Sequence, residues 1–359
     1  MKNNCLFKVS IVMFLLIITS CTNSSKFDSS TYNELKGLEI PLSESSCPVD
    51  IQIIDNLIII QESCDTCFFH IYNKESLKFI GKFGKKGKGP FEYQRPKMII
   101  QSVKKNDSCI LYVYDNVVNR IDEINILKAI SKELYYPKTV KINHSDLQTV
   151  SSFYSAVVTA DSFVVGTTQN HLNNGRFFCY EIANSKFSYQ PYYPQTRVAP
   201  HKLMLSHLYA CMMALRTDGE KIAVACRYLK RIDILDKKGQ HIAESIFETQ
   251  DEEPDFSSNK RIPPLSSHIY FGSISVTNRF IFALDINKNT TAIDLDESNM
   301  KQSGDSIMLY RTNWDGKFID KMKLSPRVLK IAVDEQSNTI YGINPAYESK
   351  FLYLYKNNQ

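Results

Sequence analysis

Short apolar runs recur along this chain, and a pair of turn-forming polar residues directly precedes each of them. The runs begin at Leu57, Ile110, Phe163, Ile222, Ile281 and Ile340. Successive runs start 53, 53, 59, 59 and 59 residues apart. The preceding pairs are Asp55-Asn56, Asn106-Asp107, Asp161-Ser162, Asp218-Gly219, Thr277-Asn278 and Ser337-Asn338. A period of roughly 40–50 residues or more, built from short strands, is typical of propeller blades, so the pattern predicts six of them.

Each unit is expected to form a four-stranded meander in which the apolar run is the second strand. The fourth unit shows the plan, with strands predicted at residues 208–215, 221–226, 231–235 and 241–247. The second unit repeats it at residues 98–103, 109–114 and 120–124. Turns rich in Asp, Asn and Gly supply the positive φ angles of tight hairpins. The expected fold class is therefore all-β, a six-bladed β-propeller with four-stranded antiparallel blades.

The two ends of the repeat array complement each other. The sixth unit contains strands predicted at residues 328–333, 339–343 and 351–355, and it lacks a fourth. A spare strand-like stretch precedes the first unit, at residues 38–42. The sequence therefore predicts a ring closed by an N-terminal strand, which would remove the exposed edges of an open sheet. Helical character is concentrated at residues 125–134.

The first twenty residues have the features of an export signal. Lys2 and Lys8 precede an apolar run at residues 9–18, which is too short for a membrane span and fits a secretory signal. The run ends in Ile18-Thr19-Ser20-Cys21, which resembles the lipobox of bacterial lipoproteins. This resemblance implies a lipid on Cys21 that attaches the mature chain to a membrane. An ordinary signal peptide with a chance cysteine is the alternative.

These segments suggest a simple domain organisation. Residues 1–20 are expected to be a lipoprotein signal peptide, residues 21–33 a flexible tether, and residues 34–359 the propeller. The expected location is the bacterial cell envelope, facing the periplasm or the exterior. Removal of Lys2 and Lys8 lowers the formal charge from +5 to +3. A positive charge this small does not favour nucleic acid as a partner.

The cysteines do not describe a disulfide framework. Of nine cysteines, seven remain after Cys5 and Cys21 are set aside, and most of them lie inside apolar runs. Cys64 and Cys67 bracket a predicted turn of the first unit, which favours a local disulfide or two free thiols. A zinc site would need a second pair, and a haem attachment would need His at the position of Phe68.

One segment carries a family resemblance. Gly81, Gly84, Gly87 and Gly89 are followed by Pro90-Phe91-Glu92, then by Tyr112-Val113-Tyr114-Asp115 and Asn119-Arg120-Ile121. This arrangement resembles one NHL repeat. Together with the lipobox and the six units, the chain resembles the six-bladed β-propeller lipoproteins of the TolB-like and NHL-like group. The fourth unit departs from the pattern, because Arg227-Tyr228-Leu229-Lys230 replaces an acidic start of the corresponding loop.

The glycine-rich segment at residues 81–89 admits two interpretations. Its four lysines among glycines suggest a phosphate cradle, but the spacing and the hydroxyl residue of a P-loop are both missing. A solvated basic loop is favoured instead. The glycines are expected to let the backbone cross tightly from the outer strand of one blade to the inner strand of the next.

The loops on one face of the ring are the expected place for a ligand. In a propeller, the loops that join fourth to first strands and second to third strands meet around the channel mouth. The polar candidates in these loops are Arg95, Asp115, Tyr193, Arg227 and Asp285. Tyr192, Tyr193, Arg197 and His201 in one such loop suit a polar or glycan-like partner. The alternative is that all of these side chains are solvated or structural.

The sequence favours a binding protein over an enzyme. We expect a ligand-binding or protein-interaction scaffold, with an envelope protein or a polar, glycan-like ligand as partner. No catalytic residue, cofactor or metal ligand is predicted. The alternative comes from the resemblance, because six-bladed relatives include metal-dependent enzymes of the lactonase and lyase type that hold a divalent metal in the channel.

Overall fold

The computed structural model confirms the six-bladed propeller. The residues that it describes are 31–105, 108–131, 134–141, 155–167, 175–201, 204–247, 257, 268–289, 306–345 and 351–356. Cys21 and the lipobox lie outside them. Within the described residues, none of the helices combines the length and the apolar character of a membrane span.

The described strands form six sheets, which we number as blades in chain order. Blade 1 contains β3 (Pro48–Ile54), β4 (Leu57–Glu62), β5 (Cys67–Asn73) and β6 (Phe79–Lys85). Blade 2 contains β7 (Pro96–Met98), β8 (Ile100–Gln101), β9 (Val103–Lys105), β10 (Ser108–Asp115), β11 (Arg120–Asn125) and β12 (Lys138–Lys141). Blade 3 contains β13 (Ala156–Val158), β14 (Phe163–Thr167), β15 (Phe177–Glu181) and β16 (Lys186–Gln190).

The other three blades follow the same order from the inner to the outer strand. Blade 4 contains β17 (Cys211–Leu215), β18 (Lys221–Cys226), β19 (Arg231–Asp236) and β20 (His241–Ile246). Blade 5 contains β21 (His268–Val276), β22 (Phe280–Asn289), β23 (Ile307–Asn313) and β24 (Phe318–Ser325). Blade 6 contains β25 (Lys330–Asp334), β26 (Thr339–Ile343) and β27 (Phe351–Lys356).

The apolar runs found in the sequence are the second strands β4, β10, β14, β18, β22 and β26. They read as continuous apolar runs because both of their faces are covered; every residue of β4 is buried, for example. The turns before four of these strands, β4, β14, β18 and β26, contain a residue in the left-handed backbone conformation. The φ angles are 54° at Asp55, 64° at Ser162, 79° at Gly219 and 49° at Asn338. These are residue types that tolerate positive φ or favour turns.

Two N-terminal strands add to the last two blades. β2 (Leu38–Pro41) pairs antiparallel with β27, so the sheet of blade 6 has four strands. β1 (Asn33–Lys36) pairs parallel with β24 as a fifth strand of blade 5, which the sequence did not indicate. One apolar cluster contains side chains of both blade 6 and blade 1, including Tyr341, Leu352, Ile53 and Ile58.

The inner strand of blade 2 differs from the prediction. Instead of one strand over residues 98–103, it forms three short pieces, β7, β8 and β9. β7 and β9 pair with β10, whereas β8 leaves the sheet and pairs parallel with β17 of blade 4. The predicted single strand is wrong because Gln101 finds its hydrogen-bond partners in other blades.

The helical prediction was partly correct. Helix α1 (Ile126–Ile130) occupies the centre of the predicted segment, and the Asn125 side chain caps it by accepting from the Lys128 amide at 3.2 Å. Helix α2 (Leu205–Leu208) ends at the first residue of the strand predicted at residues 208–215, and the observed inner strand of blade 4 begins at Cys211.

The disulfide links Cys47 to Cys64, so a local bridge between Cys64 and Cys67 is wrong. The Cα atoms of Cys47 and Cys64 are 5.5 Å apart, because the Ser63 amide donates to the Cys47 carbonyl at 3.0 Å. Sequence spacing could not show this pairing, since the segment before β3 and the turn after β4 meet only in the fold. The other described cysteines remain as thiols: Cys67, Cys109, Cys179, Cys211 and Cys226.

The glycine-rich segment begins inside a strand. Gly81 and Gly84 belong to β6, the outer strand of blade 1, and the crossing to blade 2 starts after Lys85. Gly84 has a φ of 75°, and a Cβ there would lie 2.7 Å from the Phe69 ring. This glycine therefore serves the packing of blade 1 rather than the crossing between blades.

Candidate functional site

A cavity of about 320 Å³ opens at the channel mouth, on the face that carries the loops between second and third strands. The first residues of the inner strands and the turn of blade 4 surround it. Its polar and charged lining side chains include Asp50, Gln61, Lys97, Arg227, Ser273 and Lys330. We call this cavity the upper mouth.

Regular elements position the basic side chains of the upper mouth. Lys97 is the second residue of β7, and Lys330 is the first residue of β25. Arg227 lies in the turn between β18 and β19. Its amide donates to the Ala210 carbonyl and its carbonyl accepts from the Tyr270 amide, each at 2.8 Å. These bonds fix the Arg227 backbone while its side chain stays exposed.

The upper mouth carries uncompensated positive charge. The Lys97 side chain is exposed, yet the protein atoms around it in the mouth partly desolvate its ammonium group and lower its pKa; the positive charges of Lys330 and Arg95 lower it further, while Asp50 opposes them. The three cationic side chains that line the cavity thus face a single carboxylate there. A bound anion would relieve this repulsion by favouring the charged form of Lys97.

The floor of the upper mouth is strand β8. The Gln101 side chain donates to the Val158 carbonyl at 3.0 Å and accepts from the Val158 amide at 2.8 Å. The Gln52 side chain donates to the Gln101 carbonyl. Ile100 lines both this cavity and a second one toward the opposite face, so it lies between them. Because blades 1, 3 and 4 all bond to β8, this strand is held in place and closes the base of the upper mouth.

The second cavity, also about 320 Å³, has the opposite charge. Among the described residues, the charged ones that line it are Asp55, Asp334 and Glu335, and none is Lys or Arg. Asp334 pairs with Lys74 at 3.0 Å, and Glu335 accepts from the Asn278 amide at 2.9 Å. The two ends of the channel therefore differ in charge, and the upper mouth is the end suited to an anion.

The predicted candidates Arg95 and Asp115 meet beside the upper mouth. Asp115 is fully buried and accepts from the amides of Gln94 at 2.7 Å, Arg95 at 3.4 Å and Val117 at 3.1 Å. Its carboxylate therefore holds the loop that leads into β7. The Arg95 side chain is exposed, and its charge acts on Lys97.

Two further candidates belong to adjacent blades, Arg227 to the turn between β18 and β19 of blade 4 and Asp285 to β22 of blade 5. Asp285 is buried and pairs with Lys230 at 3.1 Å. Burial alone would lower the pKa of Lys230, but the charges of Asp285 and Tyr310 raise it overall. The fourth unit departs from the family pattern in this turn. Lys230 of the turn forms an ion pair with Asp285 of blade 5, and Arg227 lines the cavity.

Tyr193 belongs to a small apolar cluster outside the cavity. Its ring lies 5.2 Å from that of Tyr209, next to Met204, Leu208 and Leu229. Burial raises the pKa of Tyr193. The side chain is partly buried, and its environment is that of a packing residue.

Blade 4 contains the only cluster of potential metal ligands among the described residues. Atoms of Asp233, His241 and Glu244 lie within 4.8 Å of one another. However, Arg176 binds Asp233 at 2.5 Å, and Arg231 binds both Asp233, at 2.6 Å, and Glu244. Burial would raise the pKa of Asp233, but the two guanidinium groups lower it. These groups already neutralise the carboxylates, so the cluster does not fit a metal ion.

The glycine-rich loop is likewise occupied by the protein itself. Glu92 accepts from the Gly89 amide at 2.9 Å, and its carboxylate lies 3.4 Å from the Lys85 ammonium. The hydrogen bond from Gly89 and the nearby Lys85 lower the pKa of Glu92. An internal carboxylate therefore takes the place that a phosphate would need, which agrees with the preference for a solvated basic loop.

The sequence did not single out Lys97, Lys330 and Asp50. A signal was available, because Lys97 and Lys330 stand at or near the starts of predicted inner strands, and Asp50 is the third residue of the inner strand β3. In a propeller the starts of all inner strands converge on one mouth. A search for charged residues at these positions would have found all three.

Comparison with known proteins identifies the fold. The sequence model of a family described as TolB-like 6-blade propeller-like matches residues 33–336. A candidate exported protein of Bacteroides fragilis NCTC 9343 superposes with a TM-score of 0.55 at 11% identity, over 90% of this chain and 94% of that protein. A DUF4221 family member of Bacteroides vulgatus ATCC 8482 gives a TM-score of 0.55 at 12% identity, over 91% and 98%. None of the curated proteins matches the sequence.

Proposed function

The chain belongs to the TolB-like family of six-bladed propellers, and on that premise we propose that it binds an anionic group of a ligand or partner protein at the upper mouth. We further propose that it does so outside the cytoplasm, held to a membrane by a lipid on Cys21. The main support for the proposal is one cavity, closed at its base by strand β8 and lined by Lys97, Arg227 and Lys330.

The shape and the charge of the upper mouth support a small anionic ligand or the acidic tip of a larger one. A cavity of about 320 Å³ lies at the lower end of the volumes of small-molecule sites, roughly 300–1,000 Å³. Charge-assisted hydrogen bonds from Lys and Arg to a carboxylate or phosphate are stronger than neutral ones. The exposed Arg95 extends the positive field beyond the rim, and such a field speeds the arrival of an anion.

A matched pair of sugars would test the charge requirement. Galacturonate and galactose differ at one carbon, where a carboxylate replaces a hydroxymethyl group. In calorimetric titrations of the mature protein at low salt, we expect binding of galacturonate or of citrate and none of galactose. Equal binding of both sugars would favour the neutral, glycan-like ligand that the loop aromatics suggested, and no binding of any anion would contradict the proposal.

The proposed location rests on two features. Disulfides such as Cys47–Cys64 persist in oxidising compartments outside the cytoplasm. The segment Ile18-Thr19-Ser20-Cys21 supplies the lipobox. Metabolic labelling with an alkyne fatty acid should mark the wild-type protein and leave Cys21→Ala unlabelled and in the soluble fraction. An unchanged membrane fraction of the unlabelled variant would contradict lipid anchoring.

The donor atoms of the upper mouth do not favour the metal-dependent enzyme of the alternative interpretation. Three cationic side chains and one carboxylate, that of Asp50, line the cavity. Hard divalent cations such as Ca²⁺ and Mg²⁺ are held mainly by several oxygen ligands, and nearby positive charges would oppose their binding. We therefore retain anion binding as the proposed activity.

A further inference from the structure

Three cysteines meet in blade 1, on the face of the ring that carries the upper mouth. Cys47 and Cys64 form the disulfide, and Cys67 remains a thiol three residues after Cys64. Cys64 is exposed, whereas Cys47 and Cys67 are partly exposed. A disulfide and a thiol are thus presented together at the surface, and neither is used by the proposed anion site.

β4 and β5 are paired as far as Gln61 and Phe69, so the chain reverses between these residues; Cys64 is the second residue of the connecting bend, residues 63–66, and Cys67 is the first residue of β5. Residues three apart across a chain reversal can approach to within about 7 Å, which overlaps the Cα separation of disulfides, about 4.4–6.8 Å. The Asp65 side chain holds the bend by accepting from the Thr66 amide at 2.5 Å and by pairing with Lys82 at 2.8 Å. The bend therefore allows Cys67 to reach the Cys64 sulfur.

Strand β6 and the residue after it lie beside Cys67. Cys67 pairs with Lys85 in the β5–β6 register, and the Lys86 amide donates to the Thr66 carbonyl at 2.9 Å. The pKa of Lys82 is raised, mainly by its hydrogen bond to Asp65 and in part by the charge of Cys67. The thiolate is the nucleophile in disulfide exchange.

We propose that these three cysteines form a thiol–disulfide exchange site. The Cys67 thiolate attacks the Cys64 Sγ, a Cys64–Cys67 bond forms, and the Cys47–Cys64 bond breaks. Cys47 leaves as a thiolate and takes up a proton, while the proton of Cys67 has gone to water. The step conserves one disulfide and one thiol, so it needs no oxidant or reductant.

The surroundings of Cys47 allow the exchange to occur within the folded protein. The buried Glu62 carboxylate accepts from the amides of Cys47 at 2.8 Å and Ser46 at 3.2 Å, and from the Ser45 hydroxyl at 2.5 Å. These bonds hold the segment between β2 and β3 without the disulfide. Exchange therefore releases Cys47, in the segment that joins blade 6 to blade 1, from its disulfide and leaves a thiol there. We expect little rearrangement of the backbone.

Three buried cysteines are expected to react more slowly than Cys67. Burial raises the pKa of Cys179 and of Cys211 to about 11, and it raises that of Cys226 as well. Buried thiols with a raised pKa are poor nucleophiles. Under native conditions, iodoacetamide should therefore label Cys67 and leave these three cysteines unlabelled until the protein unfolds.

Disulfide mapping of the native protein tests the proposal. The mature protein is incubated at about pH 6 and at about pH 8, quenched in acid, alkylated, digested and analysed by mass spectrometry. We expect a Cys64–Cys67 peptide together with alkylated Cys47, forming faster at the higher pH because the thiolate is the reactive form. Cys67→Ser should abolish this peptide. A wild-type map with only Cys47–Cys64, at both pH values, would overturn the proposal.

A second variant tests whether Cys64 and Cys67 can be linked at all. In Cys47→Ser, treatment with oxidised glutathione should produce the Cys64–Cys67 disulfide, with two molecules of reduced glutathione released. Circular dichroism checks that the fold is retained, as the hydrogen bonds to Glu62 lead us to expect. Stable glutathione adducts on Cys64 or Cys67, instead of a link between them, would also overturn the proposal. Neither experiment depends on anion binding at the upper mouth.

Discussion

Lys97 on the inner strand of blade 2 and Lys330 on the inner strand of blade 6 face the same cavity, and the charge of Lys330 lowers the pKa of Lys97. Repulsion of this kind destabilises the folded protein. Groups with a shifted pKa in a cleft are candidates for function, and residues kept at a cost in stability are expected at binding sites. Lys97 and Lys330 should therefore affect both stability and anion binding.

Removal of the Lys330 charge should stabilise the protein slightly. In Lys330→Met the repulsion on Lys97 is reduced, and we expect a gain of up to about 1 kcal/mol in the free energy of unfolding, the scale of partly solvated charge pairs. Urea denaturation at low salt measures it. Lys317→Met is the control, because Lys317 is an exposed lysine on a turn of blade 5. A Lys330→Met protein less stable than this control would show that Lys330 is structural.

Anion binding should be linked to protonation of Lys97. The ordinary pKa of lysine is 10.5, and that of Lys97 lies below it. A bound anion raises this pKa again. At a pH at which Lys97 of the free protein is partly deprotonated, anion binding therefore takes up protons. Affinity should therefore fall as pH rises through the lowered pKa. Calorimetry in two buffers of different ionisation enthalpy, repeated at increasing pH up to the ordinary lysine pKa of 10.5, should detect the uptake in wild type and not in Lys97→Met.

The ion pairs between blades 3 and 4 should be sensitive to truncation. Arg176 is almost fully buried and binds Asp233, and its removal leaves a buried carboxylate with Arg231 as its remaining cation. We expect Arg176→Met to cost about 3 kcal/mol, within the range for broken buried pairs, about 3–5 kcal/mol. Lys237→Met is the control, since Lys237 bridges Asp161 and Glu220 at the surface. A loss equal to that of the control would contradict the account.

Gly37 should not tolerate a side chain. A Cβ at this position would lie 2.7 Å from Cε1 of Tyr355, whose ring is fully buried. We expect Gly37→Val to lose about 1–3 kcal/mol of stability, as overpacked sites do, and Tyr355→Leu to reduce that loss when the two are combined. Thermal unfolding measures both, with the exposed Lys36→Ala as control. Additive losses would show that Gly37 and Tyr355 do not interact.

The sequence predicted the second strands most accurately because their side chains are buried on both faces. Residues 221–226 and 339–343 are strands with the predicted bounds. Inner strands are harder to predict, because they line a channel and carry polar residues. Gln101 illustrates this, since its hydrogen bonds to blades 1 and 3 draw β8 away from its own sheet.

The site was less predictable, for a physical reason. Asp115 and Asp285 look like ligand groups in the sequence, yet backbone amides and Lys230 engage them in the fold. Lys97 and Lys330 look like ordinary surface lysines, and only the ring brings their strands together. The sequence candidates lie on the same face of the propeller as the upper mouth, whereas the partners of each charge depend on the three-dimensional arrangement of the blades.

Citrate affinity of the charge variants tests the central claim most directly. We expect Lys97→Met and Arg227→Met each to weaken citrate binding roughly tenfold or more, because a hydrogen bond to a charged group contributes about 1.5–3 kcal/mol. Lys317→Met should bind as wild type does. Calorimetric titration at constant pH and salt measures all four proteins. Wild-type affinity in Lys97→Met and Arg227→Met would contradict anion binding at the upper mouth.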